Sequence, residues 1–239
     1  MIDIHCHLLY GVDDGADTIN TSLTMLNDAV SQGITDIILT PHYRKGMFPF
    51  DKNAIMANYE SIRKTAADMG IRLYLGCEYH ANADMVGNLR NDRVMTLAGS
   101  DHVLAEYSHN STLLQIQNSL DELLSNGYIP VIAHAERYGI VEKDPAVLAL
   151  FEQMGALVQI NANAILGLDG SAMKRVCKKI LKGELADIIA SDSHDMRERR
   201  SHMQDCRRYV SKKYGETTAV KLFERNPRKI IEGINRTGE

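Results

Sequence analysis

A chain of 239 residues with 44% hydrophobic and 24% charged residues has the profile of an ordinary globular protein, long enough to bury a core without covalent staples. Its 27 Lys+Arg stand against 31 Asp+Glu, a formal net charge of −4, which argues against a general nucleic-acid or anionic-membrane binder with a basic surplus gathered on one face. Cys6, Cys77, Cys177 and Cys206 lack CxxC spacing, so neither a disulfide framework nor a thiolate zinc site is expected, and a reducing cytoplasm fits.

The opening residues Met1-Ile2-Asp3-Ile4 read as a strand rather than a signal peptide, and no later run is apolar for long enough to insert directly into a membrane. Further apolar, β-rich runs at 34–40, 72–76, 102–105, 129–133, 157–160 and 187–190 bring the expected strands to seven. Helical periodicity fills 22–32, 53–69, 113–126, 146–154 and 172–182. Strand and helix alternate, which calls for parallel βα units, and no linker interrupts them, so one domain over 1–239 is expected. Gly33, Gly70, Gly127, Gly155 and Gly183 each follow a helical segment, where a left-handed C-terminal residue is favoured. Asn226-Pro227 reads as an N-cap with proline opening a closing helix. Such units build either an open doubly wound sheet or a closed barrel.

At the C-terminal end of nearly every expected strand stands a metal-ligand type: His5 and His7, then His42, Glu78, Glu106, His134, Asp192 and His194. Parallel strand ends converge on one face, so these scattered residues should meet. A lone histidine is more often a satisfied surface or core group than a ligand, so His80, His102, His109 and His202 are given that ordinary role. Two pairs at alternate positions, His5-x-His7 and Asp192-x-His194, with single ligand types between them, make coincidence a poor account. Carboxylate plus imidazole suits manganese, iron or zinc rather than calcium. Cys6 should face the opposite side as a small buried filler. A thiol phosphatase needs an arginine six residues after its cysteine; Val12, Ala83, Gly183 and Lys212 stand there instead. GxSxG, GxxxxGK[ST] and GxGxxG are absent.

The segments His5-x-His7, Thr40-Pro41-His42, Gly76-Cys77-Glu78, Ala105-Glu106-Tyr107-Ser108, Ala133-His134-Ala135-Glu136-Arg137-Tyr138 and Ala190-Ser191-Asp192-Ser193-His194 together resemble the polymerase-and-histidinol-phosphatase (PHP) superfamily. Within it they resemble the manganese-dependent protein-tyrosine phosphatases encoded with bacterial capsule and exopolysaccharide genes. The resemblance implies an α/β fold, a distorted seven-stranded (β/α)7 TIM-like barrel, holding three divalent metal ions, with manganese ahead of iron or zinc. Carried over by position, His5, His7, Glu78 and Asp192 would hold the first ion, and Glu78 would bridge to a second held by Glu106 and His134. His42 and His194 would serve the third with an aspartate of Val12-Asp13-Asp14-Gly15, Asp14 being favoured over Asp13. Arg137 and Arg199 would hold phosphate, with Arg197 and Arg200 as neighbouring alternatives to the latter. The implied substrate is phosphotyrosine in a protein, the tail of a bacterial tyrosine kinase that regulates capsule or exopolysaccharide synthesis. The loop from Tyr43 to Phe50 would receive that tail, or be an ordinary exposed loop. The alternatives are a metal-dependent amidohydrolase, a small-molecule phosphatase of the histidinol-phosphate type, and an adaptor that binds a phosphorylated tail without turnover.

Overall fold

A computed structural model describes residues 1–233; the last residues of the expected domain, 234–239, lie outside the described part. Nine strand segments form two parallel sheets: β1 (Ile2–Cys6), β2 (Asp36–Leu39) and β4 (Arg72–Leu75) in one, and β3 (His42–Tyr43), β5 (Glu78–His80), β6 (His102–Glu106), β7 (Ile129–Ile132), β8 (Leu157–Asn161) and β9 (Ile188–Ala190) in the other. The seven expected strands thus become nine segments, because two of them are followed by a second short stretch. Pro41 has no N–H to offer the ladder between β2 and β3, and Gly76 sits between β4 and β5 where an added Cβ would meet the Leu97 side chain at 2.9 Å. Hydrogen bonds Gly76 N to Leu39 O (2.8 Å) and Glu78 N to Pro41 O (3.1 Å) carry the pairing across these breaks. On its other side β1 meets the segment after β9, through Asp192 N to His5 O and His7 N to Ser193 O, both 2.9 Å. The result is a curled parallel sheet.

Helices cover the outside: α1 (Ile19–Ser31), α2 (Lys52–Asp68), α3 (Met85–Arg90), α4 (Leu113–Ser125), α5 (Gly139–Lys143), α6 (Leu148–Met154), α7 (Ala162–Leu166), α8 (Ser171–Lys182), α9 (Met203–Tyr214), α10 (Glu216–Val220) and α11 (Asn226–Glu232). Strands buried on both faces read as continuous apolar runs, as parallel sheets require. Ile2, Ile4, Ile38, Leu104, Val131, Ala133, Ile188 and Ala190 fill the inside of the curl, closed by Leu97, Ile230 and Ile231. Ile37, Leu39, Val103, Ala105, Ile132, Val158, Ile160 and Ile189 point outward to the helices.

A β-bulge in β1 aims the two opening histidines. Asp3 pairs with Ile37 and Cys6 with Leu39, so three steps along β1 match two along β2. Ile2 and Ile4 therefore face inward, and past the extra residue His5 and His7 face inward as well, while Cys6 packs outward as expected.

Two local expectations are corrected. Gly183 is helical (φ −84°), and Glu184 takes the left-handed conformation instead (φ 56°). Asn226 does not cap: α10, a π-helical turn at Lys221–Arg225 and α11 run on without a break, and the Asn226 amide donates to Asp187 O at 2.9 Å. The wide turn lies where Pro227 cannot supply its backbone donor.

At the opposite end of β2 from the candidate ligands, buried Asp36 accepts from Arg72 Nε (2.7 Å) and a second Arg72 nitrogen (2.9 Å). Burial alone would raise this carboxyl, but the hydrogen bonds from Arg72 and Thr35 outweigh it and hold it below the ordinary range. A depressed folded pKa contributes stability that is present above the unfolded value, about 3.9, and is lost as pH falls through the folded one. Asp36→Asn should therefore cost about 1–2 kcal/mol at pH 7, the solvent-exposed Arg72 partner tempering the figure. Urea melts should show the difference from wild type shrinking towards pH 3; a pH-independent difference would assign the loss to packing alone.

Candidate metal centre

The C-terminal strand ends bring the expected ligands together in three overlapping groups: His5, His7, Glu78 and Asp192; His42, Glu78 and Glu106; and His7, Asp14, His42 and His194. In each group the donor atoms lie within 4.8 Å of one another. In the first, His5 Nε2 and His7 Nε2 are 3.2 Å apart. Each is 3.1 Å from Glu78 Oε2, and they lie 3.4 and 3.6 Å from Asp192 Oδ1. Ligands about 2.1 Å from one ion sit roughly 3.0–3.4 Å from their neighbours, the edge lengths of an octahedron and a tetrahedron. His134 Nε2 lies 2.8 Å from Glu78 Oε1 and 3.9 Å from Glu106 Oε1. Asp14 Oδ1 is 3.3 Å from His42 Nε2 and 3.5 Å from His194 Nε2.

The tautomers are arranged from outside the cluster. His7 Nδ1 meets Asp13 Oδ2 at 2.8 Å, His194 Nδ1 meets Asp192 O at 3.0 Å, and His5 Nδ1 meets Gln159 Oε1 at 3.1 Å. With these Nδ1–H groups committed, the Nε2 lone pairs of His5 and His7 converge, and only a proton or a cation between them relieves the repulsion. Glu78 Oε2 and His194 Nε2 are buried without a hydrogen bond of acceptable geometry among the described residues. The donor set thus fits divalent cations.

Electrostatics point the same way. Burial draws the His5 imidazolium down, but Glu78 and Asp192 outweigh it and push it up to about 9. His42 is likewise pushed up to about 11, the close carboxylates of Asp14 and Glu78 overriding its burial. His194, buried and stacked on His7 with centroids 3.8 Å apart, is held down to about 4. The carboxylates demand positive charge, which protons or metal ions can supply. His134 (φ 30°) and Asp192 (φ 52°) hold left-handed backbone here, strain of the kind found at functional sites.

Asp13 and Asp14 separate cleanly. Asp14 faces the histidines, whereas Asp13 accepts from His7, from His42 N (3.0 Å) and from Gly15 N (2.9 Å), bracing the turn. That turn needs glycine: a Cβ on Gly15 would lie 2.1 Å from His7 O. Gly15→Ala should lower stability by about 1–3 kcal/mol through overpacking, about 4–8 °C in melting temperature for a 2 kcal/mol loss. An unchanged melting curve would show that the turn relaxes freely.

The arginines differ in which carboxylates they reach. Arg199 reaches Asp14 Oδ2 (3.2 Å) and Asp192 Oδ1 (3.4 Å), Arg137 reaches Asp192 Oδ2 (2.9 Å), and Arg200 turns away to Asp28 on α1. Both Arg137 and Arg199 line a cavity of about 270 Å³ over the cluster, together with Arg44, Met47 and Phe48 of the loop after β3. Phe48 stacks on His42, centroids 5.1 Å apart, and Arg44 N and Phe48 O bond at 3.0 Å to fold the loop back.

A family model described as capsular polysaccharide synthesis, CpsB/CapC, matches residues 1–232. The chain belongs to the CpsB/CapC family. It is 34% identical over 238 residues to the tyrosine-protein phosphatase CpsB of Streptococcus pneumoniae, covering 97% of this chain and 98% of that one. A solved structure, from a study of YwqE from Bacillus subtilis and CpsB from Streptococcus pneumoniae as unique metal-dependent tyrosine phosphatases, matches with TM-score 0.88 and 28% identity, covering 98% of this chain and 95% of that one. The Escherichia coli phosphotriesterase homology protein matches with TM-score 0.64 at 10% identity over 96% of this chain and 98% of that one, a likeness of fold alone.

In this CpsB/CapC chain, sequence reasoning missed the amides that support the cluster. Gln159 Oε1 also accepts from His134 N (2.9 Å), Gln159 Nε2 donates to Asn161 Oδ1 (2.8 Å), and Asn161 Nδ2 donates to Asp192 Oδ2 (2.9 Å). Both sit on β8, the strand whose end carries no ligand type. Inward spacing on a strand otherwise flanked by ligand-bearing neighbours was the available signal. Of the histidines given ordinary roles, His80 bonds Ser108 Oγ (3.2 Å) and His109 bonds Arg137 O (2.8 Å).

Proposed function

We propose that this CpsB/CapC protein is a metal-dependent protein-tyrosine phosphatase. The observation that carries the reading is the convergence of His5 Nε2, His7 Nε2, Glu78 Oε2 and Asp192 Oδ1 with spacings of 3.1–3.6 Å beneath two arginines. His5, His7, Glu78 and Asp192 would hold one ion, Glu78, Glu106 and His134 a second, and Asp14, His42 and His194 a third, manganese being favoured and iron or zinc also suited to the donors. When bound, such ions lower the pKa of water and offset phosphate charge. Four carboxylates at −4, two arginines at +2 and about +6 from three divalent ions leave about +4 towards a phosphate near −2.

The chain's own groups then do the binding and orienting. Arg137 and Arg199 flank the cavity, and a guanidinium with five donors keeps some free for phosphate oxygens while bonded to Asp192 or Asp14. The leaving tyrosinate, from a phenol of pKa about 10, needs no strong general acid. Arg44, Met47 and Phe48 form the wall that the peptide around the tyrosine would meet. The strand segments read as seven staves of one distorted (β/α)7 barrel, β2 with β3 and β4 with β5 each making one, in a single domain. No helix among the described residues is long and apolar enough to cross a membrane, and a cytoplasmic location, acting on a bacterial tyrosine kinase of capsule or exopolysaccharide synthesis, completes the reading.

The test is turnover of a phosphotyrosine peptide, histidinol phosphate and a phosphoserine peptide after chelation and manganese return, with Arg137→Ala alongside. Preference for phosphotyrosine, lost on chelation and reduced about 10²–10³-fold in the variant, is expected. Turnover of histidinol phosphate alone would reassign the substrate, and binding without turnover would make the protein an adaptor.

A further inference from the structure

One helix departs from the acidic balance of the chain. α8 carries Lys174, Arg175, Lys178, Lys179 and Lys182, all exposed, and no acid, while Val176, Cys177, Ile180 and Leu181 bury its other side. At 100° per residue Arg175, Lys178, Lys179 and Lys182 share one stripe, about 10 Å long at 1.5 Å rise per residue. Lys174 is engaged elsewhere, donating to Leu166 O at 2.9 Å. Among the described residues no carboxylate forms an ion pair with any of the four stripe cations, whereas Arg200, Arg207 and Arg208 on neighbouring segments are all paired.

The stripe joins two recesses. On one side α8 packs against the turn Ala135–Arg137, whose Arg137 lines the phosphate cavity. At its far end Lys182, with Lys213 and Lys221, rims a groove of about 340 Å³ floored by Leu181, Ala186 and Leu222. Glu184 is the single acid among the groove's lining residues. The Tyr214 hydroxyl, in the same lining, is buried without a hydrogen-bond partner among the described residues.

We propose that this stripe and groove dock an acidic, extended segment of the phosphotyrosine protein, with carboxylates along α8 and an apolar side chain in the groove. The inference rests on the reading of the metal centre as a protein-tyrosine phosphatase. Charge complementarity selects an acidic occupant, and the concave, apolar-floored end selects a chain with side chains over a flat surface. A lipid surface is disfavoured because the apolar side of α8 is already packed into the fold, leaving none to insert. The net charge of −4 conceals this face, since a whole-chain sum says nothing of its distribution.

The probe is a random glutamate–tyrosine copolymer, unphosphorylated for binding by fluorescence anisotropy and phosphorylated for turnover. Replacing Arg175→Gln, Lys178→Gln, Lys179→Gln and Lys182→Gln together should weaken binding and raise KM for the phosphorylated copolymer about tenfold, the sum of several exposed ion pairs. It should leave kcat unchanged, along with turnover of p-nitrophenyl phosphate and of a neutral phosphotyrosine peptide. Added salt should bring wild type towards the variant. Equal copolymer affinity in both proteins overturns the docking face; so does binding to phosphatidylglycerol vesicles that the variant loses while its copolymer affinity is kept. Failure of wild type on the neutral phosphotyrosine peptide would instead strike the phosphatase reading, since anisotropy tests docking without turnover.

Discussion

Glu78→Gln is expected to lower kcat/KM on a phosphotyrosine peptide by about 10³ or more, the scale of several kcal/mol of charge stabilisation. Glu78 is fully buried, and its two oxygens touch separate partners: Oε2 lies 3.1 Å from both His5 Nε2 and His7 Nε2 and 3.0 Å from His42 Nδ1, while Oε1 lies 2.8 Å from His134 Nε2. Burial would raise its pKa, yet the charge of His5, the hydrogen bond from His134 and the close His42 imidazole hold it well below the ordinary range. An amide keeps the volume, removes the charge, and turns one acceptor into a donor facing imidazole nitrogens. The second readout is thermal: a ligand that binds only the folded state stabilises by RT ln(1 + [L]/Kd), so a 100-fold weaker site forfeits about 2.7 kcal/mol of the gain from added manganese. A variant that keeps both the manganese-induced gain in melting temperature and the turnover would remove Glu78 from the centre of the site.

The ligand positions were legible because they combine two signals that survive in one dimension: residue type and placement at the end of an apolar run. Parallel strands then force convergence, so His5, Glu78, His134 and Asp192 could be placed together from far apart in the chain. What aims them was not legible. Ile2-Asp3-Ile4-His5-Cys6-His7 reads as plain alternation, which would put His5 and His7 on the face of Asp3; the bulge that brings them inside with Ile2 and Ile4 depends on pairing with β2. Adjacent Asp13 and Asp14 could not be separated by spacing, since their roles follow from a turn folded on the His7 backbone. Arg199 and Arg200 differ only by which way an irregular segment points them. Glu184 took the left-handed position expected at Gly183, a one-residue shift of the kind that helix ends commonly show.

Gln159→Leu should weaken metal binding by about 10–100-fold, the usual cost of losing a partner that orients a ligand, while the fold survives. Gln159 is fully buried, and its Oε1 receives both His5 Nδ1–H and His134 N; leucine strands two donors at a cost of about 1–3 kcal/mol each. The same oxygen fixes the amide's orientation, because the His134 backbone can only donate. Gln159 Nε2 must then face Asn161 Oδ1, which leaves Asn161 Nδ2 for Asp192 Oδ2. The relay therefore donates in one direction, from His5 through Gln159 and Asn161 to Asp192, and Gln159→Glu separates positioning from packing. Glutamate keeps the acceptor for His5 but sets an oxygen against Asn161 Oδ1; if Asn161 flips to relieve that, its own oxygen meets Asp192. Glutamate should thus recover His5 orientation and the packed volume, but only part of the manganese affinity, measured by calorimetric titration beside the melting temperature of chelator-treated protein. Full recovery of affinity by Gln159→Glu would show that the Asn161–Asp192 half of the relay carries nothing. Equal losses of affinity and of chelated-protein stability in all variants would reduce the relay to core packing.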